Sequence, residues 1–171
     1  MVSIAREKVV TADLRVGDMR TFNLQRKFDL VYCFSSSIQY NLTEEDLVKT
    51  ISNLRSHSTD GKAVFDLAFC AERWREGYTN VTANADKDYQ VAEIFTSHSK
   101  EGISHWNPVY LIKNNNTGKL DMEVDKQRIR VWKIGEVRRI LDGLGINYSL
   151  ERGFDRKGGE KDIPLFVLGR V

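Results

Sequence analysis

The side chains best equipped for chemistry in this sequence fall in two stretches, Cys33 to Tyr40 and Glu72 to Tyr78, with Asp18 standing apart. In the first stretch the hydroxyls of Ser35, Ser36 and Ser37 can hydrogen-bond a ligand or their own backbone, as in any serine-rich turn. Tyr40 could orient a substrate, but a phenol titrating near ~10 is a poor base at neutral pH. In the second stretch Trp74 and Tyr78 lie beside Glu72, a grouping suited to a cationic amine. The same two rings would serve equally to pack the start of the segment that follows. Asp18 offers a carboxylate, which accepts hydrogen bonds and donates none; after Gly17 it is also a residue type that caps a turn. His57, His98 and His105 have no metal-ligand spacing, so no metal is expected. Cys33 and Cys70 each end an apolar run, where a free cysteine behaves as a small buried hydrophobe.

The elements that must hold these groups follow from the apolar pattern. Met1, Ile4 and Ala5 share a face, so Met1 to Lys8 reads as the end of a helix. Val9 to Val16 is strand-like and closes at Gly17-Asp18, and Phe28 to Cys33 is a nearly continuous apolar run, as a sheet covered on both faces requires. Thr43-Glu44-Glu45-Asp46 fits a capping box, and Leu47, Val48, Ile51 and Leu54 continue at helical spacing. Lys62 to Phe69 is the next buried strand, which completes a βαβ unit with parallel strands. From Tyr89 to Arg130 the segments Val91 to His98, Ser104 to Lys113 and Leu120 to Arg130 are separated by hairpin signals, and we expect an antiparallel insertion over 89–130. A helix from Lys133 to Gly143 follows, with strands near Tyr148 and at Leu165 to Leu168. Gly153 to Asp162, polar and glycine-containing, reads as a loop between them.

Several ordered segments together resemble class I S-adenosylmethionine (SAM)-dependent methyltransferases, in particular the small-molecule branch that includes nucleotide-sugar N,N-dimethyltransferases. They are Met1-(x)2-Ile4-Ala5-Arg6, Gly17-Asp18-Met19-Arg20, Phe28-Asp29-Leu30-Val31, Phe34-Ser35-Ser36-Ser37-Ile38 and Asp60-Gly61-Lys62. The resemblance implies an α/β fold: a partial Rossmann-like methyltransferase sheet with helices on both faces plus an antiparallel β insertion, all in one domain over 1–171. It implies that Asp18 and Met19 meet the adenine and that Phe34, Ser35 and Ser36 line the cofactor cleft. Ser37, Glu72, Trp74 and Tyr78 would face the acceptor, with Tyr40 where relatives resemble one another in carrying a histidine near the acceptor amine.

The family's glycine-rich cofactor loop and the acid that grips the ribose have no counterpart in this sequence, so SAM is expected to bind weakly or not at all. In the family's strand order the first two strands separate the third from the fourth. The Phe28 to Cys33 strand would then expose an edge, and we expect it to re-pair with Val9 to Val16 or to be completed in a homodimer. The expected activity is methyl transfer to a small-molecule amine or hydroxyl, and the alternative is a non-catalytic, homo-oligomeric or partner-binding remnant of the fold. Lys+Arg 26 against Asp+Glu 24, interspersed, argues against a nucleic-acid face. No apolar run is long enough for a membrane span and no signal segment opens the chain, so a cytoplasmic protein is expected.

Overall fold

The chain enters through a short helix, α1 (Val2–Lys8), which buries none of its residues. The computed structural model describes residues 2–154 and 160–169. The apolar run that follows α1, expected as a strand, pairs with nothing: residues 9–18 form no strand, and Val10 and Val16 are 88% and 85% exposed. A strand exists only when a neighbour takes its N–H and C=O groups, and among the described residues no other strand runs alongside this segment. Re-pairing with Phe28 to Cys33 does not occur. That run becomes β1 (Val31–Cys33), extended by an isolated parallel bridge from Phe28 to Ser58.

After β1 comes a 3-10 turn (Ser37–Tyr40) and then α2 (Glu44–Ser56), whose first turn is capped as the sequence implies. The Thr43 hydroxyl accepts from the Asp46 N–H at 3.1 Å. The chain then returns as β2 (Ala63–Asp66), parallel to β1 with Val31 opposite Ala63 and Cys33 opposite Phe65. This is the βαβ unit read from the apolar runs.

The antiparallel region begins at Thr79, ten residues ahead of the expected boundary, and divides into two sheets. The larger has the order β3 (Thr79–Ala85), β4 (Tyr89–Thr96), β7 (Val109–Asn114), β8 (Leu120–Val124). The smaller pairs β5 (Ser99–Lys100), β6 (Ile103–Trp106) and β9 (Gln127–Arg130). Pro108 lies between β6 and β7, where its missing donor and fixed φ split a single apolar run into two strands. Glu101 and Gly102, both at positive φ, make the tight hairpin that returns β5 to β6.

α3 (Ile134–Gly143) leads to β10 (Tyr148–Phe154) and β11 (Glu160–Leu168). Strand therefore takes up both ends of the Gly153 to Asp162 stretch expected as loop; its centre, 155–159, lies outside the described residues. β11 slots antiparallel between β2 and β10, which gives the main sheet the order β1-β2-β11-β10. Leu47, Ile51 and Leu54 of α2 and Val137 and Leu141 of α3 join Ala63, Phe65, Phe166 and Leu168 in one core. The Phe65 and Phe166 rings stack at its centre, 5.0 Å apart. β1 is left as an edge, with Leu30, Tyr32 and Phe34 54%, 64% and 45% exposed.

Candidate active site

The turn that leaves β1 is held in a conformation its residue types do not favour. Ser35 and Ser36 both have positive φ, 59° and 58°, and each left-handed non-glycine residue costs of order ~1–3 kcal/mol unless its surroundings enforce it. The enforcement comes from β2. The Ser36 N–H donates to Asp66 Oδ1 at 2.9 Å, and the Ser36 hydroxyl accepts from the Ala68 N–H at 3.1 Å. Ser37 donates its hydroxyl back to the Phe34 carbonyl at 2.8 Å. Two of the three serines thus bond their own neighbourhood, while Ser35 and the Phe34 ring, stacked on Tyr32 at 4.9 Å, remain exposed at the sheet edge.

Asp66 has a role that the resemblance did not point to, although an acid inside an apolar run was the visible signal. Burial pushes its carboxyl above the ordinary aspartate value, with the Ser36 and Asp66 amides pulling the other way. Cys33, beside it, is pushed up to about 11 by burial and then by the Asp66 charge, which makes it an inert thiol. Gln39, wholly buried, is the second such residue. Its amide donates to the Phe69 and Arg130 carbonyls at 3.0 and 2.9 Å and accepts from the Phe69 N–H at 3.1 Å. It ties the 3-10 turn to the segment after β2 and to β9. No sequence signal marks it out from any other glutamine.

Ala68 and Phe69, held by Ser36 and Gln39, open into a cleft of about 720 Å³. Its walls include the Trp74, Tyr78, Phe95 and Trp106 rings, and Glu72, Arg73 and Arg75 bring charges of both signs to it. Phe95 stacks on Trp106 at 4.7 Å and Phe69 meets the same indole edge-on at 4.8 Å. The structure therefore brings Glu72, Trp74 and Tyr78 together as the sequence implies. Glu72 and Trp74 also have structural partners. Glu72 Oε1 accepts from the Ile134 N–H at 2.9 Å, satisfying the start of α3. The Trp74 indole donates to Glu76 Oε2 at 2.8 Å. Glu76 also takes the Ser99 N–H and hydroxyl and the His98 ring; with the indole bond foremost, these hold its carboxyl at about 2.

Tyr40 does not line this cleft but lies next to one of its walls. Its hydroxyl donates to Gln127 Oε1 at 2.5 Å, and the Gln127 amide donates in turn to Asp125. Gln127 sits opposite Trp106 in the β6–β9 pairing. Burial and the Asp125 charge raise the phenol above its ordinary value. It stays protonated at neutral pH, and its oxygen can accept a hydrogen bond.

Asp18 lies on the exposed chain ahead of β1, where its carbonyl accepts from the Thr21 and Phe22 amides. Its carboxylate is gripped by Arg20 from the backbone N–H at 2.9 Å and the guanidinium at 2.6 Å, which lowers it to about 2. Met19 is half-buried, its sulfur 3.5 Å from Asn41 Nδ2 and its carbonyl 3.1 Å from Asn53 Nδ2. Asp18 therefore caps a turn and offers an ionised carboxylate, and the two uses are compatible. Among the described residues no cluster of histidine, cysteine and acidic side chains has the arrangement to bind a metal, and no helix is long and apolar enough to cross a membrane.

No protein-family model matches the chain. Over 156 residues it is 34% identical to dTDP-3-amino-3,6-dideoxy-alpha-D-glucopyranose N,N-dimethyltransferase of Streptomyces fradiae, which takes in 90% of this chain and 60% of that protein. Over 104 residues it is 32% identical to dTDP-3-amino-3,4,6-trideoxy-alpha-D-glucopyranose N,N-dimethyltransferase of Streptomyces venezuelae, 60% of this chain and 43% of that protein. The chain thus spans about half the length of the curated relatives it matches. Its fold superposes on the crystal structure of DesVI from Streptomyces venezuelae with a TM-score of 0.84 at 22% identity, covering 99% of this chain and 70% of that one. SAM-bound CalS10, an amino pentose methyltransferase from Micromonospora echinaspora, gives 0.78 at 19% identity over 99% and 69%. The chain therefore has the fold of class I SAM-dependent methyltransferases, and its sequence is similar to two sugar N,N-dimethyltransferases.

Proposed function

We propose that the chain forms the acceptor side of a SAM-dependent methyltransferase acting on a small-molecule amine, with a nucleotide-linked amino sugar as the favoured acceptor class. One observation carries the reading: the turn Phe34 to Ser37 and the aromatic cleft are joined by direct hydrogen bonds, Ser36 to Ala68 and Gln39 to Phe69. A ligand on the turn and a ligand in the cleft would therefore share one rigid wall. That wall stands at the carboxyl end of the parallel β1–β2 pair, where open α/β sheets hold ligands.

Asp18, Met19, Phe34, Ser35 and Ser36 are the residues that would hold the adenosyl part of SAM; when bound, the cofactor supplies an electrophilic methyl group. These residues offer an ionised carboxylate and an exposed ring, a modest set, and we infer that SAM binds this chain weakly. On the acceptor side the aromatic walls suit a base, the Arg73 and Arg75 guanidiniums suit an anionic linker, and Glu72 attracts a protonated amine. Tyr40 and Ser37 would orient the amine near the turn, the phenol accepting a hydrogen bond while keeping its own proton. Alignment of this kind can supply about 7–11 kcal/mol of a transfer barrier, so no strong base is required. We also read the chain as one domain over 1–171, working as a homodimer in the cytoplasm.

Calorimetric titration tests the reading, first with SAM and then with a dTDP-linked 3-amino sugar in the presence of S-adenosylhomocysteine. Weak but saturable SAM binding, and sugar binding that Trp74→Ala abolishes, is the expected result. Absence of heat with both ligands would overturn it.

A further inference from the structure

Tyr40 stands at the head of a hydrogen-bond chain whose direction is fixed from its far end. The Tyr40 hydroxyl donates to Gln127 Oε1 at 2.5 Å, and the Gln127 amide donates onward to Asp125 Oδ2. An aspartate carboxylate accepts hydrogen bonds and donates none. The glutamine must therefore turn its NH2 toward Asp125 and its carbonyl oxygen toward the phenol. Asp125, in the turn between β8 and β9, is itself held in place. Its backbone N–H donates to the Pro108 carbonyl at 3.1 Å, and its Oδ1 accepts from the Lys126 N–H at 2.8 Å. At the other end Tyr40 closes the 3-10 turn, whose Gln39 amide donates to the Arg130 carbonyl on β9, the strand that also carries Gln127. Two neighbouring residues of the turn thus grip one strand. Among the described residues the Tyr40 oxygen has no other hydrogen-bond partner, and the residue is 48% exposed. The phenol gives its one proton to Gln127, and toward a ligand it can only accept. Burial first, then the Asp125 charge, keep that proton in place.

We propose that Gln127 and Asp125 are positioning residues for methyl transfer: they hold the Tyr40 phenol as an acceptor toward the incoming amine, so that the nucleophilic lone pair stays uncapped. The inference rests on the reading that places Tyr40 beside the acceptor nitrogen. In the transfer the amine lone pair forms the N–C bond as the C–S bond breaks, the C–S electron pair staying on sulfur, and the nitrogen afterwards gives a proton to water. A phenol oxygen that accepts an amine N–H turns the lone pair away from itself and leaves it free to attack. A phenol with an unengaged proton would do the reverse. It would donate to the lone pair, and that bond would have to break before each transfer. The direction of the chain, set by a carboxylate that does not touch the amine, therefore decides whether a hydroxyl beside the nucleophile helps or hinders.

The direction of the chain can be read in the free protein by nuclear Overhauser effects. The Gln127 side-chain amide protons should show contacts to the Asp125 β protons and none to the Tyr40 ring; contacts to the ring instead would overturn the proposal with no ligand present. The consequence is read as the split of kcat from KM, with millimolar SAM and a dTDP-linked 3-amino-3,6-dideoxyglucose. Gln127→Leu frees the phenolic proton to cap the amine, so kcat should fall about 5-fold, one hydrogen bond's worth, without a rise in KM. Tyr40→Phe raises KM but leaves no proton to cap the nitrogen. The double variant Gln127→Leu/Tyr40→Phe should therefore regain the kcat of Tyr40→Phe, a recovery that damage to the fold does not produce. Asp125→Asn, which lets the glutamine turn over, should lower kcat, and Asp125→Glu should restore it. A wild-type kcat in Gln127→Leu or Asp125→Asn, or a double variant no faster than Gln127→Leu, would overturn the proposal while the reading of function stands. A wild-type chain that transfers no methyl group at all would overturn that reading and the proposal with it.

Discussion

Replacing Gln39 by leucine should destabilise the protein by about 3 kcal/mol and loosen the cleft before it unfolds the rest. Leucine is close to glutamine in size and, at a fully buried position, costs little in packing. It removes three hydrogen bonds of 2.9 to 3.1 Å at once, two to carbonyls and one from an amide. Each such bond contributes about 1 kcal/mol net, and orphaned backbone groups add to the loss where water cannot reach them. The groups left behind belong to Phe69, which lines the cleft, and Arg130, whose strand pairs with the one carrying Trp106. Urea unfolding followed by tryptophan fluorescence gives the change from the midpoint at constant slope. The cleft's loosening appears separately as faster hydrogen exchange at Phe69 and Trp106 than at the core strand β2. A loss below about 1 kcal/mol, with unaltered exchange, would refute the view that this one amide ties turn, strand end and cleft wall together.

Other outcomes follow from the same geometry. Asp66→Ala should cost about 1–3 kcal/mol by orphaning the Ser36 amide under two strained residues, whereas Asp66→Asn, which keeps an acceptor, should stay near wild type; chemical denaturation distinguishes them. Glu76 contributes stability that is present above the ordinary carboxylate range and fades as pH falls from 4.5 toward its folded value of about 2. Thermal melts of wild type and Glu76→Gln should therefore differ at neutral pH and converge in strong acid. Phe166→Ala removes a ring stacked on Phe65 in the buried core and should cost about 3–5 kcal/mol in the same denaturation assay. Tyr40→Phe should weaken binding of an amino sugar nucleotide about 5-fold, one hydrogen bond's worth, and leave binding of the 3-deoxy analogue, which has no donor at that position, unaffected in calorimetry.

Much of this was legible from side-chain order. The β1–α2–β2 unit showed itself in two buried runs and a capping box, all local features. Val9 to Val16 was misleading because apolar content specifies a wish to be buried and says nothing about a partner strand. The antiparallel placement of β11 was equally hidden, since a buried strand reads the same in both directions. At the site, Glu72, Trp74 and Tyr78 could be grouped by proximity in sequence. Gln39 and Asp66 could not, because their partners lie 30 residues or more away and only the fold brings them within bonding distance.

The account rests on turn and cleft acting as one site, and amide and indole chemical shifts during titration with a dTDP-linked 3-amino sugar test that most directly. The Trp74 and Trp106 indole signals and the Ser35 and Ser36 amides should move together along one saturable curve. Shifts confined to residues outside the turn and the cleft, or cleft signals that move while the serine amides stay fixed, would contradict it.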